Sequence, residues 1–473
     1  MIEIRKGHEI ELEVEKLAFG GSAVGHMGKL VVFVDHAVPG QRIRARITRR
    51  KPQYAEAVPV EILRQSPFHR EPECPHFSIC GGCRWQDIDY ETQLHWKRSQ
   101  VVDCLQRITG IRDALVAPAV ASPELRGYRN KMEYTFSPRR WLSPEEIASK
   151  DTVYDKSLAL GLHAQGHYDK VFNLDFCLLP SSPSVELVRF VRQWCRESGI
   201  PAYSTRNHQG YWRFLVVREG KRTGEALAHL ITAVRPEVAS RVEDLAEEIA
   251  RRFPWLTTFV HSTSSKKAQV ALGDSSRVLY GIGSIMERLG AYRYSISAHS
   301  FFQTNPLGAE QLYECVAEFG EFTGKETVWD LYCGTGGISL FIARRVRRVV
   351  GYEVIREAVA DACENCRLNG IDNCTFEAGD LKDMIRRESE PSRCREAPDV
   401  VVTDPPRSGM HPKVVQALLD LAPKRIVAVS CNPATLARDL RLLAEDYEIR
   451  KVQPFDLFPH TPHIECVVQL VRR

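Results

Sequence analysis

The last third of the chain most constrains the fold, because apolar strand-like runs alternate there with helical segments. In ETVWDLYCGTGGISLFIARR an apolar run leads into a Gly-rich turn and then a helical pattern. Further runs follow in RVVGYEV, AGDL, DVVVTDPPRSG and RIVAVSCNPATLARDL, and each ends on a polar residue. This alternation predicts a doubly wound, Rossmann-like parallel sheet over residues 301–473.

The first two strand ends predict a nucleoside site at the carboxyl edge of that sheet. Gly334 lies in a Gly-rich turn that permits close backbone approach, and the N-terminus of the next helix favours polar or anionic groups. Glu353 ends the next strand, 23 residues after Asp330, where a carboxylate can bind both ribose hydroxyls. These signals fit NAD as well as S-adenosylmethionine. The glycines do not complete G-x-G-x-x-G, because Ser339 occupies the last position.

The third and fourth strand ends favour S-adenosylmethionine. Asp380 in AGDL is expected near an adenine, and Asp404 is followed by two prolines in DVVVTDPPRSG. A carboxylate before a rigid Pro-Pro lip is typical of methyltransferases that act on bases, and dehydrogenases lack it. The four strand ends together predict a methyltransferase.

A thiol and a carboxylate extend the prediction to a particular chemistry. Cys431 ends the fifth strand beside a helix N-terminus, which predicts a stabilised thiolate with a lowered pKa. Glu465 enters the last apolar strand, where a carboxylate is costly unless paired or functional. Thiolate addition at carbon 6 of uracil makes carbon 5 nucleophilic, and after methyl transfer a base removes the carbon-5 proton. An N-methylating enzyme needs no such cysteine.

Aromatic and amide side chains precede the sheet in SAHSFFQTNP. Phe301 and Phe302 with Gln303 could stack on a base and read its polar edge. The alternative is a core pair at a domain junction.

The first 65 residues predict a small OB-like β-barrel, since short alternating strands are separated by turn residues. In QRIRARITRRK the apolar residues point one way and Arg42, Arg44 and Arg46 the other. This arginine row predicts a face for a phosphate backbone, and the alternative is a solvated strand face.

Cys74, Cys80 and Cys83 lie close together in CPHFSICGGC, and Cys177 follows downstream. One distant and three close thiolates satisfy a four-ligand site for iron–sulfur or zinc. The spacing of five residues between Cys74 and Cys80 differs from the spacing in radical-SAM proteins. Cys363 and Cys366 are one turn apart in a predicted helix and are interpreted as core or surface thiols.

Size and composition bound the remaining possibilities. The chain has 473 residues, about three domains' worth. Its 64 basic and 60 acidic side chains neither require nor exclude a polyanionic partner. We expect a cytoplasmic protein, since no run approaches a membrane span and the N-terminus has no apolar h-region. No obligate protein partner is evident.

The chain resembles the RNA (uracil-5-)-methyltransferases that have an N-terminal TRAM domain and an iron–sulfur cluster. The resemblance includes CPHF…CGGC, YRNKMEY, SFFQTN, DLYCGTG, DPPRSG, SCNPATLARD and PHTPHIE. It implies a [4Fe–4S] cluster on the four cysteines, cofactor contacts by Gln303, Tyr332, Glu353 and Asp404, nucleophile Cys431 and base Glu465. In this family Phe301 and Gln303 hold a flipped base.

The expected architecture is therefore multidomain α/β. It has a TRAM domain over 1–65, a central iron–sulfur and RNA-binding domain over 66–86 and 118–300, and a catalytic domain over 87–117 and 301–473. By analogy with TRAM-bearing bacterial members, 23S ribosomal RNA is the favoured substrate and transfer RNA the alternative. An amino-group methyltransferase and a non-catalytic RNA-binding assembly factor remain open.

Overall fold

Three large sheets and one hairpin organise the chain in the computed structural model, which describes residues 4–110, 116–149, 151–388 and 396–473. The predicted domain ranges also include residues 1–3, 111–115, 150 and 389–395, which lie outside the described residues. Within the described ranges, no helix has the length and apolar character required to cross a membrane.

The N-terminal sheet has six strands in the order β1-β5-β6-β4-β3-β2. They are β1 Glu9–Glu13, β2 Lys16–Leu17, β3 Ala23–Met27, β4 Leu30–Val34, β5 Arg42–Arg50 and β6 Tyr54–Arg64. In β5 the buried Ile43, Ala45 and Ile47 alternate with the arginines, as the period-2 pattern predicts. The sheet curls back on itself, since the Glu15 amide donates to Val24 across the gap between β1 and β3 (2.8 Å).

The arginine row on β5 is largely matched by carboxylates of the same sheet. Glu11 of β1 binds Arg42 (3.1 Å), and Glu61 of β6 binds Arg44 (2.6 Å). The sequence-based expectation of a basic face considered β5 alone and did not include its strand partners. RNA binding by Arg42, Arg44 and Arg46 stays a prediction.

Helix α1, Tyr90–Thr109, begins at the N-cap Asp89 and ends at Gly110, whose φ of 73° is left-handed. Asp89 accepts a hydrogen bond from the Thr92 amide (2.9 Å). The helix packs against the last helix of the chain, so a segment from the first quarter of the sequence completes the C-terminal layer.

The central sheet has seven strands in the order β13-β12-β11-β10-β7-β8-β9. Its elements are β7 Lys131–Ser137, α2 Pro144–Ala148, β8 Ala159–His163, β9 Val171–Asn173, α3 Ser182–Glu197, β10 Trp212–Glu219, β11 Ala226–Ala233, a 3-10 helix at Pro236–Val238, α4 Ser240–Arg252, β12 Thr258–Ser264 and β13 Ser275–Tyr280. One face packs on α3 and α4 through an apolar core that includes Met132, Tyr134 and Phe136. The alternate residues of β7 therefore point to the opposite face.

The C-terminal sheet has the order β18-β17-β16-β19-β20-β22-β21, and only β21 and β22 break its parallel pairing. A hairpin precedes it, β14 Ser284–Leu289 and β15 Tyr292–Ser297. The remaining elements are α5 Pro306–Gly320, β16 Thr327–Leu331, α6 Gly337–Ala343, β17 Arg348–Glu353, α7 Arg356–Leu368, β18 Cys374–Ala378, α8 Leu381–Glu388, β19 Val400–Thr403, α9 Pro412–Leu421, β20 Arg425–Ser430, α10 Pro433–Leu443, β21 Tyr447–Phe455 and β22 Glu465–Arg472. The predicted doubly wound sheet is confirmed.

A fully buried ion pair joins α1 to the loop between β21 and β22. Lys97 Nζ donates to Asp456 Oδ1 at 2.5 Å, and both side chains are inaccessible to solvent. Lys97 also donates to the Phe458 carbonyl (3.2 Å), and the Phe458 amide donates to Asp456 (3.0 Å). The pair therefore fixes the start of the loop that leads to Glu465.

We expect Lys97→Met to destabilise the protein by about 3–5 kcal/mol, because Asp456 is left as an unpaired buried charge. The double variant Lys97→Met/Asp456→Leu should recover most of that loss, since no charge is then buried. Urea denaturation of the three proteins measures both effects. A double variant that is as unstable as Lys97→Met, or less stable, would show that the two side chains are not energetically coupled.

Candidate active site

The predicted cofactor residues lie at the carboxyl ends of neighbouring strands. Tyr332 and Gly334 follow β16 with φ of 65° and 53°, and this left-handed turn exposes the Gly334 amide. That amide donates to Glu353 at the end of β17 (3.1 Å). The other Glu353 oxygen accepts from the Val354 and Ile355 amides (2.8 and 3.0 Å), so the carboxylate is held against the Gly-rich turn.

Ser339 has a structural role that explains the incomplete glycine pattern. Its hydroxyl donates to Asp330, a buried carboxylate on β16, at 2.6 Å. Burial raises the pKa of Asp330 to about 7, and the nearby Asp404 contributes to the rise. In the sequence, Asp330 served only as the start of the spacing to Glu353. A carboxylate within an apolar strand could nevertheless have identified Asp330 as a buried acid of the site.

Asp404 follows β19 and faces the same narrow cleft. Burial raises the pKa of Asp404 to about 6. The cleft has a volume of about 40 Å³ and is lined by Phe301, Phe302, Gln303, Tyr313, Asp330, Tyr332, Cys333, Gly334, Thr335, Gly337, Ile338 and Asp404. Asp380 is not among them: it is exposed after β18 and bound by Lys382 (2.7 Å), which lowers its pKa.

Cys431 and Glu465 are brought together by strand pairing. In the antiparallel pair of β20 and β22, Ser430 is the partner of Cys466. Cys431 directly follows Ser430 and Glu465 directly precedes Cys466, so the two residues continue the same register. Opposed residues in such a ladder have Cα atoms about 4.5–5.5 Å apart. The thiol and the carboxyl are neighbours at the cofactor edge.

The predicted lowering of the Cys431 pKa is wrong. Burial raises the pKa of Cys431 to about 11, and Glu465 and Asp404 contribute to the rise. The N-terminus of α10 offers little compensation, because the Asn432 side chain already accepts the Ala434 and Thr435 amides (3.0 and 3.4 Å). The prediction from the helix N-terminus did not include this competing cap.

Glu465 is 5% exposed, and burial raises its pKa well above the usual range, with a further contribution from Asp404. Arg407, which follows the two prolines, is the charge that favours ionisation of both Glu465 and Cys431. It also contacts His463 (3.2 Å). Sequence reasoning missed Arg407, although a cation directly after Asp-Pro-Pro at a sheet edge is a usable signal.

Phe301, Phe302 and Gln303 have different environments. Phe302 is buried in the core, whereas Phe301 is 66% exposed beside the cleft. Gln303 is nearly buried, and its carbonyl accepts a hydrogen bond from the Asn130 side chain (3.0 Å). The core-pair alternative therefore describes Phe302, and the base-stacking prediction can apply only to Phe301.

The four clustered cysteines converge from two segments. The thiols of Cys74, Cys80 and Cys83 each interact electrostatically with that of Cys177, and burial raises the pKa of all four. Backbone amides face three of the sulfurs, as in the Gly82 donor to Cys80 (3.4 Å). Among the described residues, no three His, Cys, Asp or Glu side chains are placed to hold one metal ion. An iron–sulfur cluster on these four thiols therefore stays a prediction.

Cys363 is exposed and Cys366 is buried on α7, as a surface thiol and a core thiol would be.

Two family models match this chain. Residues 4–60 match the TRAM domain, and residues 267–473 match tRNA (uracil-5-)-methyltransferase. A protein of Porphyromonas gingivalis named as an uncharacterized RNA methyltransferase is 42% identical over 98% of this chain and 99% of its own. A similarly named protein of Nitratidesulfovibrio vulgaris is 40% identical over 98% and 96%.

Among solved structures, the tRNA (uracil-54, C5)-methyltransferase of Pyrococcus abyssi in complex with S-adenosyl-L-homocysteine covers 98% of this chain and 100% of its own. The TM-score is 0.74 at 28% identity. Fold, cleft and full-length relatives agree: the chain belongs to the RNA (uracil-5-)-methyltransferase family, with an N-terminal TRAM domain.

Proposed function

We propose that this protein methylates carbon 5 of a uridine in RNA, with Cys431 as nucleophile and Glu465 as general base. The supporting observation is the register that makes these residues neighbours at the cofactor edge. An amino-group methyltransferase would not need the pair, and an assembly factor would not need the Asp404 cleft beside it. Mapping 5-methyluridine in RNA from cells with and without the protein tests the proposal.

S-adenosylmethionine, when bound at the Gly334 turn, would supply the methyl group. Glu353 and Gly334 are placed for the ribose, and Gln303, Tyr332 and Asp404 line the cleft beyond it. Asp380 is a weaker candidate for the adenine, since Lys382 already binds it.

Cys431 acts on the base after losing its proton. Its thiolate adds to carbon 6 of a uracil that Phe301 and Gln303 hold, and the π electrons move toward the carbon-4 carbonyl. Carbon 5 then attacks the methyl carbon that S-adenosylmethionine would supply, and S-adenosylhomocysteine would leave with the electrons of the broken carbon–sulfur bond. Arg407 favours the thiolate, against the effects of burial and the two carboxylates.

Glu465 completes the reaction by removing the proton from carbon 5, which re-forms the double bond and expels Cys431 as a thiolate. Its raised pKa makes the carboxylate a stronger base for this step. The carboxyl must be ionised when methyl transfer is complete, and Arg407 favours that state.

We propose a [4Fe–4S] cluster on Cys74, Cys80, Cys83 and Cys177, supported by their mutual proximity and the amides facing three sulfurs. It would hold the loop at 74–85 against the central domain and takes no part in the methyl transfer derived above.

For the RNA, 23S ribosomal RNA remains our favoured substrate, with Arg42, Arg44 and Arg46 as contacts to it. The P. abyssi neighbour, a tRNA (uracil-54, C5)-methyltransferase, aligns over its whole length. Overall architecture therefore does not separate the two RNAs. Methylation of purified 23S ribosomal RNA and of transfer RNA, assayed side by side, distinguishes them.

The two catalytic residues should give opposite results in adduct formation. Cys431→Ala should form no adduct with RNA containing 5-fluorouridine, whereas the wild-type protein should be trapped because fluorine does not leave as a proton. Glu465→Gln should accumulate adduct with unmodified RNA, since the carbon-5 proton has no acceptor. Denaturing gels measure both, with retained cofactor binding as the control. Turnover by Cys431→Ala would contradict the mechanism.

The pKa of Cys431 predicts an alkaline pH profile. Below a pKa of about 11 the thiolate fraction rises tenfold per pH unit, and ionisation of Glu465 rises in the same direction. The single-turnover rate of adduct formation on 5-fluorouridine RNA should therefore rise from pH 7 to pH 9 with a log slope of about 1. Arg407→Ala should lower the rate at each pH. A flat wild-type profile would indicate a thiolate already formed at pH 7.

Anaerobically purified protein should be brown and contain about four irons per chain. Cys80→Ser and Cys177→Ser should lose the colour and the iron, whereas Cys363→Ser, a change of an exposed cysteine outside the group, should keep both. Absorption spectra and iron analysis measure this. One zinc in colourless protein would contradict the cluster assignment.

A further inference from the structure

A second cavity lies in the central domain and is not used by the mechanism above. Its volume is about 470 Å³, within the range of small-ligand sites. We call it the Trp141 pocket, lined by Thr135 and Ser137 of β7, the segments after β7 and β8, and the loop at 203–206.

The Trp141 pocket is strongly basic. Five cations line it, Arg139, Arg140, Lys156, Lys170 and Arg206, against the single carboxylate of Asp169. Arg140 pairs with Glu146 and Arg206 with Asp169. Arg139 and Lys156 form no salt bridge within the described ranges. Unneutralised cations around a concave site favour an anionic ligand.

Aromatic side chains accompany these charges. Lys170 Nζ lies 4.0 Å from the centre of the Trp141 ring, a cation–π contact. Tyr168 lines the same pocket and is 79% exposed, so protein packing does not account for its position. Aromatic faces beside a basic groove are the combination that binds single-stranded nucleic acid by stacking and phosphate contact.

One face of the central sheet connects this pocket to the active site. Lys131, Glu133, Thr135 and Ser137 alternate with the core residues of β7 and share the face opposite α3 and α4. Arg218 is the cross-strand partner of Lys131 on that face, and it donates to the Ala298 carbonyl (3.4 Å) and to Ser300. Ser300 immediately precedes Phe301, which lies beside the active-site cleft.

The distance along this face suits an RNA strand. Lys131, whose cross-strand partner Arg218 binds the Ser300 carbonyl, lies four residues before Thr135 on the same face, or roughly 13 Å along an extended strand. About four stacked nucleotides cover that length at about 3.4 Å each. The cluster loop borders the same route, since Cys80 pairs with Ala164 and the Gln165 amide donates to Ile79 (2.9 Å).

We propose that the Trp141 pocket binds an unpaired nucleotide of the RNA substrate, a few residues from the uridine that enters the active site. Tyr168 and Trp141 provide the stacking surface, and Arg139 and Lys156 contact phosphates. This assignment deepens the proposed function and depends on it.

Two variants test the pocket against a labelled single-stranded oligouridylate, with binding followed by fluorescence anisotropy. Tyr168→Ala should weaken binding roughly 5- to 150-fold, the value of one stacked base. Arg139→Ala/Lys156→Ala should flatten the salt dependence by about 0.7 in log–log slope for each phosphate that the protein no longer binds. Arg241→Ala/Arg251→Ala removes two exposed cations from α4 and should change neither.

The position of the RNA is tested by photocrosslinking. Oligouridylate containing 4-thiouridine should crosslink to the peptides around Trp141 or Tyr168.

Saturating 5-fluorouridine RNA should still form the Cys431 adduct in Tyr168→Ala, because the pocket affects binding and not chemistry. Unchanged affinity in Tyr168→Ala with normal adduct formation would overturn the pocket assignment alone. Absence of any adduct in the wild-type protein would overturn the proposed function instead. If the protein binds uridine monophosphate and the pocket variants do not change its affinity for oligouridylate, the RNA assignment is overturned. The pocket would then be a site for a free nucleotide.

Discussion

The buried pair of Lys97 and Asp456 fixes the geometry on which the active site depends. Neither charge can be left alone without a large desolvation cost, so α1 and the loop after β21 must stay together. The same loop continues through His460, whose carbonyl accepts the Arg84 and Trp85 amides of the cluster loop (2.9 and 3.0 Å). It ends at Glu465. The Glu465 carboxyl is thereby positioned by segments from the first quarter and from the end of the chain.

Buried acids in and near the Asp404 cleft oppose one another's ionisation. Asp330 and Glu465 both have pKa values raised by burial and by Asp404. A positively charged ligand in this cleft would favour their ionised forms, and by linkage their ionisation would favour that ligand. S-adenosylmethionine has a sulfonium charge of this sign. Binding of a donor in this cleft and ionisation of Glu465 would in this way be electrostatically related, with Arg407 acting in the same direction.

Much of the C-terminal sheet could be predicted, because polar residues at the ends of apolar strands are a local signal. Gly334, Glu353, Asp404, Cys431 and Glu465 all lie at one sheet edge as expected. Predictions that depended on partners distant in sequence were less accurate. The pKa of Cys431 depends on Glu465 and on the competing Asn432 cap, and the charge of the β5 arginines depends on β1 and β6. The sequence of one strand does not indicate which residues of other elements will lie beside it.

Gly21 shows how closely the N-terminal domain packs against the loop that leads to Glu465. Its φ is 96°, and a Cβ at this position would lie 2.9 Å from Pro462, three residues before Glu465. Its carbonyl accepts the Trp85 indole N–H (3.2 Å), and Gln100 of α1 binds the neighbouring Ala18 carbonyl (3.1 Å). The barrel thus packs against the loop that leads to Glu465 and is also a candidate RNA-binding surface. Removing the barrel would expose the back of that loop to water, and the barrel therefore does not behave as an interchangeable module.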